Sequence, residues 1–248
     1  MILRKIIKGV KITMLIALLI AAAGGIRQLN IEYKDYKAAQ IEENIKDATV
    51  QLGVCVYRNS CAGGTGFVVS QTDQGAFIVT NKHVCSNGIF RPEEQNKYGQ
   101  DVYRFGLVEV TRRGGKKSPG QIIKVSQNAD LCLIYTPSKF KHTLKIAKSY
   151  KIGEVVSSYG FPSGGPVYLK GVIKKHDPYW LGIYNESNML AWYGISGSAV
   201  INSDGKVVGV MSNILTSEVR KGPAKDRNKV YGSLFVPLEL LREFIGGI

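Results

Sequence analysis

Residues 76–84 of this 248-residue chain have the sequence AFIVTNKHV. The five residues from Ala76 to Thr80 are mostly apolar or β-branched, which predicts a short strand that leads to His83. Similar short runs, cut by Gly, Asn, Asp and Ser, occupy residues 50–57, 66–70, 102–110, 131–136, 155–159, 167–173, 180–184, 199–201, 207–212 and 230–236. Short strands at such regular spacing predict an all-β sandwich or barrel.

Two segments favour helices instead. Residues 237–246 begin with proline, which is tolerated in a first helical turn, and place Leu240, Leu241, Phe244 and Ile245 on one face. Residues 28–47 are rich in Lys, Glu, Gln and Ala, with apolar residues at loose helical spacing. We expect a C-terminal helix on a domain of residues 48–248, and a juxtamembrane helix or stalk before that domain.

The N-terminus predicts a membrane-directing segment in residues 1–27. Arg4, Lys5, Lys8 and Lys11 precede an uncharged run of 15 residues, from Ile12 to Ile26. The run is short for a bilayer span of about 20 residues, and Ala-x-Ala at residues 21–23 fits a signal-peptide cleavage site. An uncleaved signal anchor and a cleaved signal peptide both remain open, so the protein is either membrane-anchored or secreted. In both cases the positive flank predicts an extracytoplasmic domain.

The charge of the chain excludes few classes of function. The net charge is +14, and residues 32–248 retain 28 basic against 19 acidic side chains, a net +9. Arg112, Arg113, Lys116 and Lys117 form the densest basic cluster, around two glycines and without the interleaved aromatic residues that stack on bases. We interpret the cluster as a hairpin tip and expect no nucleic-acid partner.

Four cysteines without a C-x-x-C pair, and three histidines, argue against a zinc site, and we expect no metal or cofactor.

Three segments together carry the residues of a nucleophilic enzyme. His83 ends its strand, Asp130 opens an apolar strand in NADLCLI, and Ser196 lies between glycines in GISGSAV. A serine hydroxyl is a weak nucleophile unless a histidine takes its proton, and the histidine must be oriented by a buried carboxylate. The order His, Asp, Ser in an all-β chain is that of chymotrypsin-like barrels.

The motifs around these residues resemble those of trypsin-like serine peptidases. TNKHV at residues 80–84 and G-x-SGS at residues 194–198 resemble the bacterial glutamyl-endopeptidase branch. GEVV at residues 153–156, YGFP at 159–162, GVI at 171–173 and GSLFVP at 232–237 are similar to signatures of the HtrA (Deg) branch. The resemblance covers about residues 48–248.

The resemblance implies two perpendicular six-stranded Greek-key β-barrels, at about residues 48–140 and 150–236, with a cleft between them. It implies a catalytic triad of His83, Asp130 and Ser196, and an oxyanion hole formed by the backbone N–H groups of Gly194 and Ser196. The strand Met211-Ser212-Asn213-Ile214 would bind the backbone of a polypeptide substrate, and Ser212 would hydrogen-bond the catalytic aspartate.

Several departures from the family pattern bear on specificity and activation. Ile195 replaces the Asp or Asn that usually precedes the nucleophile, so activation through an ion pair of that aspartate with the N-terminus is excluded. Ser198-Ala199 stands where many members have Gly-Pro after Ser-Gly. Leu190 stands where relatives that cleave after Arg or Lys have an aspartate, and Met211 stands where glutamyl endopeptidases have a histidine. Ile214 replaces a glycine that admits large rings. We therefore expect a small or medium aliphatic P1 residue in an apolar pocket.

The cysteines carry a weaker expectation. Cys61 and Cys85 resemble the bridge beside the catalytic histidine in animal relatives, and Cys55 with Cys61 is a competing hairpin pair. Cys132 lies in an apolar strand and is expected to be a buried free thiol.

The preferred function is a serine endopeptidase that works through an acyl-enzyme. The alternative is a catalytically silent chymotrypsin-fold module that binds a partner through its basic surface or cleft. All three catalytic residue types are retained, which favours the enzyme.

Overall fold

The computed structural model describes residues 27–28, 31–57, 60–86, 107–163, 165–179, 182–218 and 228–247. The chain divides into two compact units, Met1–Glu42 and Glu43–Ile248. The predicted membrane segment in residues 1–27 lies almost entirely outside the described residues. Among the residues that are described, no helix has the length and apolar character needed to span a bilayer.

Residues 31–48 are helical and form α1. Within the first unit, Ile31, Tyr33 and Tyr36 are exposed. Within the second unit, Ile45 and Ala48 are buried, and the hydroxyl of Thr49 donates to the carbonyl oxygen of Ile45 over 2.7 Å. The second unit therefore begins with a helical turn that is fixed to its first strand.

Six strands form a closed antiparallel barrel in the first half of the second unit. They are β1 (Thr49–Tyr57), β2 (Ser60–Gln71), β3 (Ala76–Thr80), β4 (Leu107–Thr111), β5 (Lys117–Val125) and β6 (Cys132–Thr136). The strand order is β1-β2-β3-β6-β5-β4, and β4 pairs back with β1. Its core is filled mainly by valine and isoleucine, among them Val50, Ile78 and Ile134.

Six more strands close a second antiparallel barrel. They are β7 (Val155–Gly160), β8 (Val167–Tyr179), β9 (Gly182–Ser187), β10 (Ala199–Asn202), β11 (Val207–Glu218) and β12 (Asn228–Pro237). The order is β10-β11-β12-β9-β8-β7, and β7 pairs with β10 to complete the ring. The two predicted six-stranded barrels are thus confirmed.

The C-terminal helix α3 (Leu238–Ile245) follows β12 directly and is also confirmed. Its buried residues are Leu238, Leu241 and Phe244. Lys124 of β5 donates to the carbonyl oxygen of Phe244 over 2.5 Å, at the helix C-terminus where a cation is favoured. The helix therefore contacts the first barrel although it follows the second in sequence.

Two elements differ from the sequence prediction. Strand β5 was not predicted, because its sequence KSPGQIIKV contains Pro and Gly and, of its nine residues, only Ile122 is buried. The histidine at the end of β3 lies in a short helix, α2 (Lys82–Ser86), rather than in the strand itself. Because α2 turns the chain back, His83 is exposed while Val84 and Cys85 are buried.

The basic cluster at residues 112–117 forms the predicted hairpin tip between β4 and β5. Arg113 contacts Glu43 over 2.5 Å and Asp47 over 3.3 Å, and Lys117 contacts Glu109 over 2.9 Å. Such half-exposed ion pairs contribute little stability. They do show that much of the cluster has acidic partners within the same unit.

Of the two cysteine pairings that the sequence left open, Cys61 with Cys85 is wrong, whereas the register of β1 with β2 places Cys55 opposite Cys61. Cys85 bonds Cys132, with their Cα atoms 6.5 Å apart, so Cys132 is not a free thiol and Cys85 does not pair with Cys61. The Cys85–Cys132 pairing follows from the register of β3 with β6, which places Thr80 opposite Cys132. Helix α2 follows β3 and turns the chain back, so that Cys85 lies over the end of these two paired strands. The bridge thus connects the histidine-bearing helix to the strand that follows Asp130.

We predict that this bridge is oxidised in the protein as it occurs in the cell. Protein isolated after thiol blocking and digested without reductant should give a peptide pair that links Cys85 to Cys132. This linked peptide pair is the result expected of an extracytoplasmic domain, because structural disulfides persist in oxidising compartments. Recovery of both residues as blocked thiols would contradict the pairing.

Candidate active site

His83 and Asp130 meet at the end of the first barrel. Nδ1 of His83 lies 2.8 Å from Oδ2 of Asp130, and the backbone N–H of His83 donates to Oδ1 over 3.0 Å. The side chain of His83 is 47% exposed and that of Asp130 is 15% exposed. The carboxylate thus bonds the imidazole through one oxygen and the backbone of His83 through the other, while the rest of the ring stays accessible.

The second barrel supplies a further donor to the carboxylate. Oγ of Ser212 donates to Oδ2 of Asp130 over 2.5 Å, as the family resemblance implied. Ser212 is the extra residue of a β-bulge, because Met211 pairs with Phe235 and Asn213 pairs with Leu234. A bulge redirects a side chain out of the regular alternation. Here it allows a strand of the second barrel to reach an aspartate of the first.

These donors control the ionisation of Asp130. Burial alone would raise the pKa of this carboxyl, but the hydrogen bonds and charge of His83 and the bond from Ser212 more than offset it. The pKa of Asp130 therefore lies below its ordinary value. The group is a carboxylate at neutral pH.

Tyr184 was not singled out from the sequence. It lies in β9, is buried, and lines the same cavity as His83 and Asp130. Burial raises its pKa, the charge of Asp130 raises it further, and a hydrogen bond with Ser212 acts in the opposite direction. No sequence motif marks Tyr184, since it reaches the site only through the closure of the second barrel.

Ser196 lies in a turn that requires glycine on both sides. Gly194 has φ +97° and Gly197 has φ +88°, in the left-handed region that favours glycine. A Cβ at Gly197 would also lie 2.0 Å from the carbonyl oxygen of Thr65. The sequence G-x-S-G is therefore dictated by backbone geometry.

Two departures from the family pattern have a structural explanation. Ile195 is buried in the core of the second barrel, in the same cluster as Met211, so it fixes the turn by apolar packing. Oγ of Ser198 is buried and lies 2.7 Å from Oγ of Ser158. Both side chains point away from solvent and do not block Ser196.

The hydroxyl of Ser196 donates to the carbonyl oxygen of Ser212 over 3.1 Å. It is not hydrogen-bonded to His83, and both residues belong to the described part of the chain. No described residue accepts a hydrogen bond from the backbone N–H of Gly194 or of Ser196. The two predicted oxyanion-hole donors are thus unpaired within that part of the chain.

The predicted substrate-binding residues fall in three environments. Asn213 lines the cavity beside His83, and its Nδ2 donates to Oγ of Ser212 over 3.1 Å. Met211 is buried in the second core, and Ile214 packs against that core. Leu190 is 49% exposed, where a buried pocket floor was expected.

Two cavities adjoin the site. One of about 440 Å³ is lined by His83, Asp130, Tyr184, Asn213 and five neighbours on the loops before Asp130 and around α2. Another of about 420 Å³ is lined by Trp192 and Tyr193, just before Gly194, and by residues of the loop 162–167. Within the described ranges, no group of three or more His, Cys, Asp or Glu side chains could hold a metal ion.

Comparison with known proteins identifies the family of the chain. A family model described as a trypsin-like peptidase domain matches residues 64–210, which is more than half of the chain. The chain therefore belongs to the trypsin-like peptidase family. The match includes His83, Asp130 and Ser196.

Solved structures with the same fold include two of the HtrA-type protease AlgW, each with a tripeptide. One is similar at 18% identity with a TM-score of 0.63, and the other, of a variant, at 17% identity with the same TM-score. The alignments cover 83% of this chain but 61% of those chains. The likeness concerns the fold, and this chain corresponds to under two thirds of the AlgW chains.

The lowered pKa of Asp130 predicts a pH-dependent contribution to stability. At neutral pH, Asp130→Asn should lower the free energy of unfolding by about 1–3 kcal/mol, because buried donors lose a charged acceptor. A carboxyl with a lowered pKa stabilises the fold above its ordinary pKa of about 4, and this contribution disappears as pH falls through the lowered value. Urea unfolding at pH 7 to 2 should show the difference from the parent protein shrink below about pH 4.

Both proteins in that comparison should carry Ser196→Ala, the substitution expected to prevent self-cleavage. Asp204→Asn, at an exposed turn, is the matched control and should change the unfolding free energy by less than about 0.5 kcal/mol at pH 7. A difference between the parent and the Asp130→Asn variant that stays constant from pH 7 to 2 would contradict the assignment.

Proposed function

We propose that the protein is a serine endopeptidase in which Ser196, His83 and Asp130 form the catalytic triad. The observation that carries the proposal is the ionised Asp130, which is bonded to Nδ1 of His83 and is linked through Ser212 of the other barrel to the glycine-flanked Ser196. Family membership supports it, since trypsin-like peptidases hydrolyse polypeptides. The tripeptide in the two AlgW structures is consistent with an extended polypeptide as the substrate class.

In the proposed reaction, Oγ of Ser196 attacks the carbonyl carbon of the scissile bond and Nε2 of His83 takes its proton. Rotation about the Cα–Cβ bond of Ser196 would move its hydroxyl from the carbonyl oxygen of Ser212 to His83. Catalytic hydrogen bonds are often long or poorly aligned in unliganded enzymes and tighten when substrate binds. His83 then gives the proton to the leaving amine, and an acyl-enzyme remains.

Water completes the cycle by the same route. His83 takes a proton from water, the hydroxide attacks the acyl carbon, and Ser196 regains its proton as the carboxylic acid leaves. The backbone N–H groups of Gly194 and Ser196 would stabilise the oxyanion in both steps, since no described residue occupies them. Asp130 stays ionised and stabilises the imidazolium, which its lowered pKa favours.

The triad predicts strongly non-additive losses of activity. Ser196→Ala, His83→Ala and the double variant should each reduce kcat/KM for a peptide substrate by about 10⁴-fold or more, because triad members act as a unit. Ser203→Ala, at an exposed turn, is the matched serine control and should keep wild-type activity. A Ser196→Ala protein that still cleaves at near wild-type rate would overturn the triad.

An inactive wild-type protein that nevertheless binds peptides would instead favour the silent binding module.

We further propose a preference for small or medium aliphatic P1 residues such as Ala, Val, Thr or Leu. Met211 is buried in the apolar core of the second barrel and Ile214 packs against that core, and Leu190, although 49% exposed, supplies no anion for a basic side chain. A charged P1 side chain would lose hydration there without a partner. Apolar contact discriminates by only about 1–3 kcal/mol per methylene-sized difference, so the preference should be broad.

Cleavage of a peptide library tests the P1 preference. Aliphatic residues should be enriched immediately before the cleaved bond, while Arg, Lys, Glu and Asp are depleted. Dominance of Arg, Lys or Glu would show that the assignment of Leu190, Met211 and Ile214 to the P1 pocket is wrong, even if Ser196 is the nucleophile.

We also propose that the peptidase domain is extracytoplasmic. The disulfide of Cys85 with Cys132 supports an oxidising compartment. The basic flank of the N-terminal apolar run supports the same orientation.

A further inference from the structure

We propose that Thr65 of β2 is the positioning residue that holds the oxyanion turn, and that its hydroxyl sets the rate of acylation. This inference rests on the proposed peptidase activity. Thr65 belongs to the first barrel, whereas the turn from Gly194 to Gly197 belongs to the second. No contact of Thr65 with substrate is needed for this role.

Thr65 bonds the turn at two carbonyl groups. Its backbone N–H donates to the carbonyl oxygen of Ser196 over 2.8 Å, and its Oγ1 donates to the carbonyl oxygen of Gly194 over 2.8 Å. Thr65 itself is fully buried. The two bonds are therefore shielded from water.

The first barrel and the neighbouring loop fix Thr65 in turn. Oγ1 of Thr80, at the end of β3, donates to the carbonyl oxygen of Thr65 over 2.7 Å. The backbone N–H of Phe161 donates to Oγ1 of Thr65 over 2.9 Å. The hydroxyl therefore both accepts and donates, which fixes the direction of its proton toward Gly194.

These contacts fix the peptide planes around both proposed oxyanion donors. The carbonyl group of Gly194 belongs to the Gly194–Ile195 peptide, which lies between the two peptides that carry the N–H groups of Gly194 and Ser196. The carbonyl group of Ser196 belongs to the Ser196–Gly197 peptide, which directly follows the peptide that carries the N–H of Ser196. Holding both carbonyls restrains rotation of the Ile195–Ser196 peptide between them, so its N–H stays directed at one position.

Gly194 makes this restraint important. Its φ of +97° is accessible to glycine, which is also the residue with the most backbone freedom. A Cβ at Gly194 would lie 2.8 Å from the carbonyl oxygen of Phe161, so the loop that bonds Thr65 also packs against this glycine. Without the Thr65 hydroxyl, the carbonyl of Gly194 and the N–H of Phe161 would lose their common partner, and the turn would relax.

The test compares Thr65→Val, Thr65→Ser and wild type as full-length proteins. Valine keeps the shape of threonine but lacks the hydroxyl, while serine retains it. Thr65→Val should lower kcat for a peptide substrate by about 10- to 100-fold with KM changed less than about 3-fold, since loss of one oxyanion donor costs about 10²- to 10³-fold. Thr65→Ser should stay within about 3-fold of wild type.

Thr136→Val is the matched control. Thr136 is fully buried in β6 of the same barrel, and its Oγ1 donates to the carbonyl oxygen of Pro119 over 2.8 Å. This variant removes an equivalent buried hydroxyl away from the turn. It should lower the melting temperature without changing kcat.

Reaction with a fluorophosphonate separates positioning from loss of folded protein. Thr65→Val should react to the same final stoichiometry as wild type but at a rate about 10- to 100-fold lower. A reduced stoichiometry with an unchanged rate per reactive site would mean that Thr65 has a purely structural role, and it would overturn the inference. A Thr65→Val protein whose kcat equals that of Thr136→Val would overturn it as well. If Thr65→Val does not accumulate as folded protein, Thr65→Ala provides the same comparison without branched side-chain atoms.

A wild-type protein that does not react at all would refute the proposed activity itself, and the positioning role with it.

Discussion

The buried carboxylate of Asp130, at the junction of the two barrels, is the group that most strongly constrains the rest of this structure. Asp130 is 15% exposed, and burying a charge is unfavourable unless donors surround it. Two of its donors come from His83 in α2, and one comes from Ser212 in β11 of the other barrel. The barrels must therefore meet in one arrangement, and that arrangement also brings Ser196 close to the carboxylate through the carbonyl oxygen of Ser212.

The same junction is stabilised from the opposite direction by Thr65. Strand β2 of the first barrel bonds the backbone on both sides of Ser196, while β11 of the second barrel bonds the aspartate of the first. Each barrel thus positions a group that the other one carries. Because the contacts are reciprocal, a shift of either barrel would disturb both the imidazole of His83 and the turn that carries Ser196. The proposed chemistry therefore depends on how the two barrels pack.

Those parts of the fold and of the candidate site that have a local sequence pattern could be predicted from the sequence. The apolar run of β3, the glycines around Ser196 and the apolar face of α3 each have a local physical cause. Strand β5 lacks such a pattern because it is largely exposed. Thr65, Tyr184 and the pairing of Cys85 with Cys132 depend on strand register and barrel closure, which residues far apart in sequence determine together. The exposure of Leu190 likewise depends on how the chain leaves β9.

The proposed chemistry requires that Ser196 is a nucleophile activated by His83. The most direct measurement is mass spectrometry of the proteolytic peptides after the purified protein has reacted with a fluorophosphonate. We expect one adduct per chain, located on Ser196 and absent from His83→Ala protein treated under the same conditions. A folded wild-type protein with no adduct, or with its adduct on another residue, would contradict it.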